Sequence, residues 1–258
     1  MNSTASFPTP AEEEGPCGNW TYHEWAEAFS TNDLARMLPP RHIAVCRVQT
    51  GGRGRFNRKW IGGEGGLWAS FTIPLNHPEA SSTVCWGHLP LVAGLALLNM
   101  LHEMGVTCAR LRWPNDLLAD KSKLAGILVE RPAENMAVIG IGINVFNDVA
   151  SMAGEIKDPA ARLADLVRDC PSLHAVLVSL GSHLDQVLST FSHGGIPALQ
   201  QGLARAWAGQ RPVSILTDEG TIRGIFTGID DQGNPVLSLP AGAIRTIPAH
   251  LVNRLIEE

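Results

Sequence analysis

The feature that most constrains this chain is the apolar run from Leu89 to Met104. Leu89, Val92, Ala93, Ala96, Leu97, Met100, Leu101 and Met104 recur there at helical spacing. Gly94, Asn99, His102 and Glu103 interrupt the run too soon for it to span a membrane. Short β-prone runs surround this helix. Residues 43–48 and 67–73 read as strands, the second by its alternation. Residues 117–119 and 126–130 read as the arms of a hairpin turning at 120–122, and 137–145 as a central strand. Ser30, Thr31, Asn32 and Asp33 supply an N-cap signal for a short helix at 34–38. Further helical patterns fall at 159–167, 173–191 and 199–207. From Arg211 the texture changes to four short β runs, at 213–217, 221–228, 235–239 and 243–247. Turns at 218–220 and 230–234 separate them, a spacing that suits a small SH3-like barrel. The expected organisation is a flexible tail at 1–19, a larger domain at 20–208 and a small C-terminal domain at 209–258.

Composition excludes several classes. Hydrophobic residues at 45% against 17% charged rule out wholesale disorder. A formal net charge of -5 argues against a general nucleic-acid binder, which needs a basic excess to neutralise phosphates. Five cysteines without CxxC spacing point to buried free thiols in a reducing compartment. Residues 1–14 lack the basic start and apolar core of a signal peptide, so a soluble cytoplasmic protein without membrane contact is expected. His102-Glu103 opens like a zinc-protease helix, but Val106 stands where the second histidine belongs. Gly140-Ile141-Gly142 opens like a dinucleotide fingerprint, but Val145 holds the third glycine position. There is no GxSxG elbow and no Walker lysine.

Three segments carry candidate chemistry. Gln49 to Trp60 joins Gly51, Gly52 and Gly54 to Arg53, Arg55, Arg58 and Lys59. Glycines let backbone N–H groups crowd an anion and the cations attract it, which suits a phosphate or acyl phosphate. A solvated basic loop or an RNA contact would use the same residues. Arg112-Trp113-Pro114-Asn115-Asp116 leads to Lys123-Leu124-Ala125-Gly126-Ile127-Leu128, where a lysine stands at the return of a hairpin beside a glycine. Taken alone, that lysine is equally a solubilising turn residue. Gly140 to Val145 is either a site strand or a buried strand whose Asn144 caps a turn.

Together these segments resemble the biotin protein ligases. The matching pieces are Ser30-Thr31-Asn32, Gly52-Arg53-Gly54-Arg55 through Arg58-Lys59-Trp60, Gly66-Leu67-Trp68, Trp113-Pro114-Asn115-Asp116, Lys123 to Leu128 and Gly140 to Asn144. They occur in the family's order and at compatible separations. The resemblance implies an α/β (α+β) chain. Its catalytic domain would be like that of the class II aminoacyl-tRNA synthetases, a mixed sheet flanked by helices, with the small C-terminal SH3-like barrel behind it.

It also implies a reaction. The family makes biotinyl-5′-AMP from biotin and ATP, then passes the biotinyl group to one lysine of a biotin carboxyl carrier protein. Two anions must meet in the first step, so fixed cations should stand where they do. By match, Lys123 bridges carboxylate and α-phosphate, while Arg53, Arg55 and Arg58 clamp phosphates. Asn115, Asn144 and Trp60 join them on the adenylate. Asp116 either helps bind Mg²⁺ carried in on ATP or orients Lys123, and no tightly bound metal is expected. Ser30, Thr31, Asn32 and Gln49 address the ureido end of biotin, together with Gly52 and the backbone of Arg53. Trp60, Gly126, Leu128, Gly142 and Ile143 line its slot, although Trp60 is equally readable as a plain core aromatic. The glycine-rich loop is expected to order over the adenylate.

Two departures from the pattern stand out. Phe56-Asn57 replaces the Arg-Gly of many members. No DNA-binding N-terminal domain of the repressor-type members is seen, which suggests a monofunctional ligase. Lipoate or octanoyl transfer on the same fold, and a non-catalytic biotin-binding module, stay as rivals. A homodimer stays open.

Overall fold

A computed structural model describes residues 13–75, 85–150 and 159–258. The chain runs β1 (Glu13–Cys17), β2 (Trp20–Ala28), α1 (Thr31–Ala35), β3 (His42–Gln49), β4 (Leu67–Pro74), α2 (Leu89–Glu103), β5 (Ala109–Arg112), β6 (Asp116–Ala119), β7 (Ser122–Ala133) and β8 (Met136–Ile143). It continues with α3 (Leu173–Ala206), β9 (Arg211–Thr217), β10 (Gly220–Ile229), β11 (Pro235–Ser238), β12 (Ile244–Thr246) and β13 (Arg254–Glu257). The first eight strands form one sheet in the order β1-β2-β3-β4-β8-β7-β6-β5. Only β2 and β3 pair in parallel, so the sheet is mixed. The last five form an antiparallel sheet, β12-β11-β10-β9-β13, which fits an SH3-like fold.

The two faces of the large sheet have different covers. Helices α2 and α3 lie on one face and close the main core with Ile43, Phe71, Ile139, Ile141 and Ile143. Each fully buried side chain of this kind contributes roughly 1.5–3 kcal/mol. On the opposite face, α1 packs with Ala44, Cys46, Trp68 and Val138 in a much smaller cluster. That thinly covered face is where the cavity lies. Strand β4 is buried on both sides, not the half-exposed strand that its alternation suggests, because helices cover both of its faces.

Several expectations need correction. Residues 1–12 of the expected tail lie outside the described residues, but residues 13–17 are an edge strand paired with β2 through a turn at Gly18 (φ +62°). Pro16 misleads there, since an edge strand tolerates a residue without an N–H. The pattern at 159–167 is not an α-helix. Its first residues lie extended beside Lys123, with Lys123 N–H donating to the Pro159 carbonyl at 2.6 Å and Ala161 N–H to the Lys123 carbonyl at 3.0 Å. Only Leu163–Asp165 makes a short 3₁₀ turn. The patterns at 173–191 and 199–207 are the two limbs of α3, broken at Gly195 (φ +61°). Strand β13 was missed altogether, and the thiols are not all buried, since Cys85 is exposed.

Candidate functional site

Alternation along β7 and β8 builds the floor of a cavity of about 380 Å³. Ala125 and Ile127 point into the main core, so Gly126 and Leu128 face the cavity. On β8 the same rule sends Ile139, Ile141 and Ile143 to the core and Gly140 and Gly142 to the cavity. Ile143, expected to line the slot, is therefore fully buried on the wrong side of the sheet. The Trp60 indole lies over the two facing glycines. A Cβ at Gly142 would come 2.7 Å from that ring, and one at Gly126 2.8 Å. The Trp60 indole N–H is buried with no hydrogen-bond partner, an unspent donor in the cavity wall.

Lys123 reaches the same face only because β7 carries a bulge. Leu117 pairs with Ala125 but Leu118 pairs with Lys123, so Leu124 is the extra residue and turns inward beside Ala125. Strict alternation would bury Lys123 instead. The bulge sets its ammonium 2.6 Å from Asp116 Oδ1 and 5.1 Å from the Trp60 ring centre. Asp116 Oδ2 accepts from Arg112 at 2.7 Å. Burial alone would raise the Asp116 carboxyl, but Lys123 and Arg112 together outweigh it and hold the group below its ordinary value. With both oxygens committed to cations, Asp116 does not fit a metal ligand; its geometry is that of a group orienting Lys123. Among the described residues no cluster of three or more metal-binding side chains exists.

The glycine-arginine loop is a hairpin, closed by Trp60 N–H to the Gly52 carbonyl (2.8 Å) and Gly54 N–H to the Arg58 carbonyl (2.7 Å). Gly52 serves this closure and does not line the cavity; a Cβ there would meet the Trp60 carbonyl at 2.6 Å. At the tip Phe56 (φ +58°) and Asn57 (φ +55°) both adopt the left-handed conformation, a cost that a glycine would not bear. The Arg55 and Arg58 guanidinium carbons lie 5.0 and 5.7 Å from the centre of the Phe56 ring. Arg55 donates to the Val252 carbonyl of the C-terminal unit at 3.3 Å, and burial lowers its pKa from the usual guanidinium value. Asn253, Arg254 and Leu255 complete that wall of the cavity.

Arg53 is bound differently from its expected role as a phosphate clamp. It makes two bonds to Asp33, at 2.9 and 2.6 Å, which hold its charge at the other end of the cavity. Ser30, Thr31, Asn32 and Gln49 stand at that same end, and the first three are buried. The Ser30 side chain makes no cap bond to α1. Asn144 lines the cavity, but its amide is spent inside the fold: Nδ2 donates to the Lys123 and Ala161 carbonyls, and Oδ1 accepts from Asn147. Asn115 Nδ2 likewise donates to the Ile127 carbonyl at 2.7 Å, splinting β7 where β6 ends. The Asn144 amide is thus not free for a phosphate, whereas the bond of Asn115 uses only one of its two Nδ2 hydrogens.

The sequence assigns no contact in the site to Arg112, Ser70 or Glu130, and to Asp33 only a share in an N-cap signal. Glu130 had a legible signal, since alternation from Gly126 and Leu128 puts it on the cavity face. Ser70 had the same relation to Trp68. The tie between Arg55 and Val252, 197 residues apart, had none.

Comparison with known proteins bears on the sequence and the fold. Residues 21–144 match the biotin/lipoate A/B protein ligase family, and residues 210–249 match the biotin protein ligase C-terminal domain. A biotin--[acetyl-CoA-carboxylase] ligase of Paracoccus denitrificans is 32% identical over 87% of this chain and 96% of its own length. The ligase of the same name from Mycobacterium tuberculosis is 32% identical over 76% of this chain and 73% of its own. The solved structure of a biotin protein ligase from Aquifex aeolicus, in complex with biotin and ATP, superposes with a TM-score of 0.79 at 27% identity. That likeness covers 92% of this chain and 99% of the other.

Proposed function

The chain belongs to the biotin protein ligases, within the biotin/lipoate A/B protein ligase family, and on that premise we propose that it activates biotin with ATP and transfers it to a carrier-domain lysine. Its function is that of a biotin ligase, neither a lipoate ligase nor a non-catalytic module. The observation that carries the finer reading is the place of Lys123. Its ammonium, oriented by Asp116, stands where the glycine-floored slot meets the Arg55 wall.

A slot floored by Gly126 and Gly142 and walled by Trp60 suits an apolar bicycle, and the polar end with Thr31 and Gln49 suits its ureido group. The carboxylate then lies toward Lys123. One carboxylate oxygen attacks the α-phosphorus of ATP, the bond to the β,γ-pyrophosphate breaks, and pyrophosphate leaves. Lys123 offsets the repulsion between the two anions as they approach, and Arg55 and Arg58 hold the phosphate chain. Mg²⁺ comes as part of the nucleotide substrate. In the second step the carrier lysine's neutral amine attacks the acyl carbon. AMP departs with the bonding pair, and the amine loses a proton.

The Aquifex relative holds biotin and ATP together, which supports one cavity serving both. The names of the relatives point to acetyl-CoA carboxylase, so its carrier domain or that of a related carboxylase is the proposed acceptor. No helix among the described residues is long and apolar enough to cross a membrane. The test is labelling of a purified carrier domain, dependent on both biotin and MgATP, against lipoate and octanoate. Equal labelling by lipoate, or absence of biotin-dependent pyrophosphate exchange, overturns the proposal.

A further inference from the structure

The polar end of the cavity has a direction built into its hydrogen bonds, and that direction starts outside the cavity lining. Glu130, on β7, accepts from Asn32 Nδ2 at 2.8 Å. A carboxylate has no hydrogen to give, so this contact decides which way the Asn32 amide points. Asn32 Oδ1 is thereby turned to Ser70 Oγ, 2.7 Å away, and only the serine can donate in that pair. A Cβ at Gly140 would stand 2.2 Å from the same oxygen, so the seat of Asn32 depends on a glycine there. Ser70 is fully buried and its one hydrogen is now spent. Toward Thr31 Oγ1, at 2.7 Å, it can only accept. The Thr31 hydroxyl therefore sends its hydrogen to Ser70. Gln49 Oε1 lies farther from that hydroxyl, at 3.2 Å, and already accepts the Thr31 backbone N–H at 2.9 Å. What Thr31 has left for the cavity is a lone pair, and what Gln49 has left is its Nε2 hydrogens.

We propose that Glu130 is a specificity-determining positioning residue: through Asn32 and Ser70 it orders the hydrogens so that Thr31 accepts from a ligand N–H. The inference rests on the biotin reading, in which the ureido ring brings N–H donors beside a carbonyl acceptor. An acceptor at Thr31 and a donor at Gln49 match those groups with the correct sense. Arg36 Nη2 lies 2.9 Å from Glu130 Oε2 and Arg53 3.9 Å from the other oxygen, both outside the relay. Glu130→Gln removes the constraint. The new side chain can donate, Asn32 can turn over, Ser70 can donate to Thr31, and the Thr31 hydrogen can then oppose the ureido N–H.

The experiment measures biotin affinity, KM and kcat in the full chain for Glu130→Gln, Ser70→Ala, the double variant and Arg36→Met. Glu130→Gln is expected to weaken binding and raise the biotin KM by about tenfold or more, with kcat within about twofold. In the Ser70→Ala background the relay is already cut, so Glu130→Gln adds less than about twofold. Arg36→Met keeps the carboxylate and stays near the wild type. If Glu130→Gln folds poorly, its folded fraction is compared on biotin and on a biotin methylated at the ureido nitrogens. Methylation costs the wild type heavily and the variant little; equal penalties overturn the inference. So do wild-type biotin affinity in Glu130→Gln, an undiminished effect in the Ser70→Ala background, or the same loss in Arg36→Met. A wild-type chain that binds no biotin overturns the function reading, and this inference with it.

Discussion

Replacing Lys123 by Met separates chemistry from folding. The ammonium is held 2.6 Å from Asp116 and faces the cavity, so its loss removes a cation already placed where the two anions meet. A preorganised group of that kind is worth about 10²–10³ in rate, or roughly 2.7–4 kcal/mol. The cost to stability is much smaller. Asp116 keeps Arg112 at 2.7 Å, and Lys123 is a quarter exposed, so the lost pair contributes about 1 kcal/mol or less. For a chain of this size about 1 kcal/mol moves Tm by roughly 2–4 °C. Biotin-dependent pyrophosphate exchange should therefore fall by two to three orders of magnitude in a protein that melts almost normally. Exchange within about threefold of the wild type would refute the reasoning. A melting point lowered far beyond that range would equally refute it, because the lysine would then be holding the fold.

Three further outcomes follow from the same geometry. The depressed pKa of Asp116 makes the folded form release its proton more readily than the unfolded chain, whose ordinary value is 3.8. Its stabilising contribution is therefore complete above the ordinary value and is lost as pH falls through the depressed one. Urea midpoints of the wild type and Asp116→Asn should converge as pH drops below about 4, and a constant gap would contradict this. Gly140→Ala forces Asn32 away from Glu130 and Ser70, costing about 1–3 kcal/mol of stability by urea denaturation; an unchanged midpoint would show that the pocket yields freely. Arg55→Gly frees the loop from the Val252 carbonyl and should let activated biotin escape, read as biotinylation of bystander proteins; full retention of the adenylate would count against a closing role for the loop.

The sequence order of motifs was enough to name the family, and its local periodicity located α2, β3, β8 and most of the C-terminal strands. These features are legible because they repeat at short range: an apolar residue every third or fourth position, or a turn between two β runs. The gathering of Ser30, Thr31, Asn32 and Gln49 at one end of the site was expected from resemblance, not from spacing. Ile143 shows where the reading failed locally. It adjoins Gly142, but pleating sends neighbours to opposite faces, so one lines the cavity and the other is core.

What the chain's own letters determine here is composition of the site: a lysine after a hairpin turn, a loop of glycines and arginines, a strand of alternating glycine and isoleucine. Tertiary structure alone decided how those letters act. The bulge at Leu124 aims Lys123, residues 159–161 splint it, Asn144 spends its amide inside the fold, and Asn115 Nδ2 donates to the Ile127 carbonyl. The Val252 carbonyl also returns across the whole chain to meet Arg55. The reason is physical. Hydrophobic periodicity is a property of neighbouring residues, whereas a bulge, a hydrogen-bond direction or a buried ion pair exists only once distant segments are in contact.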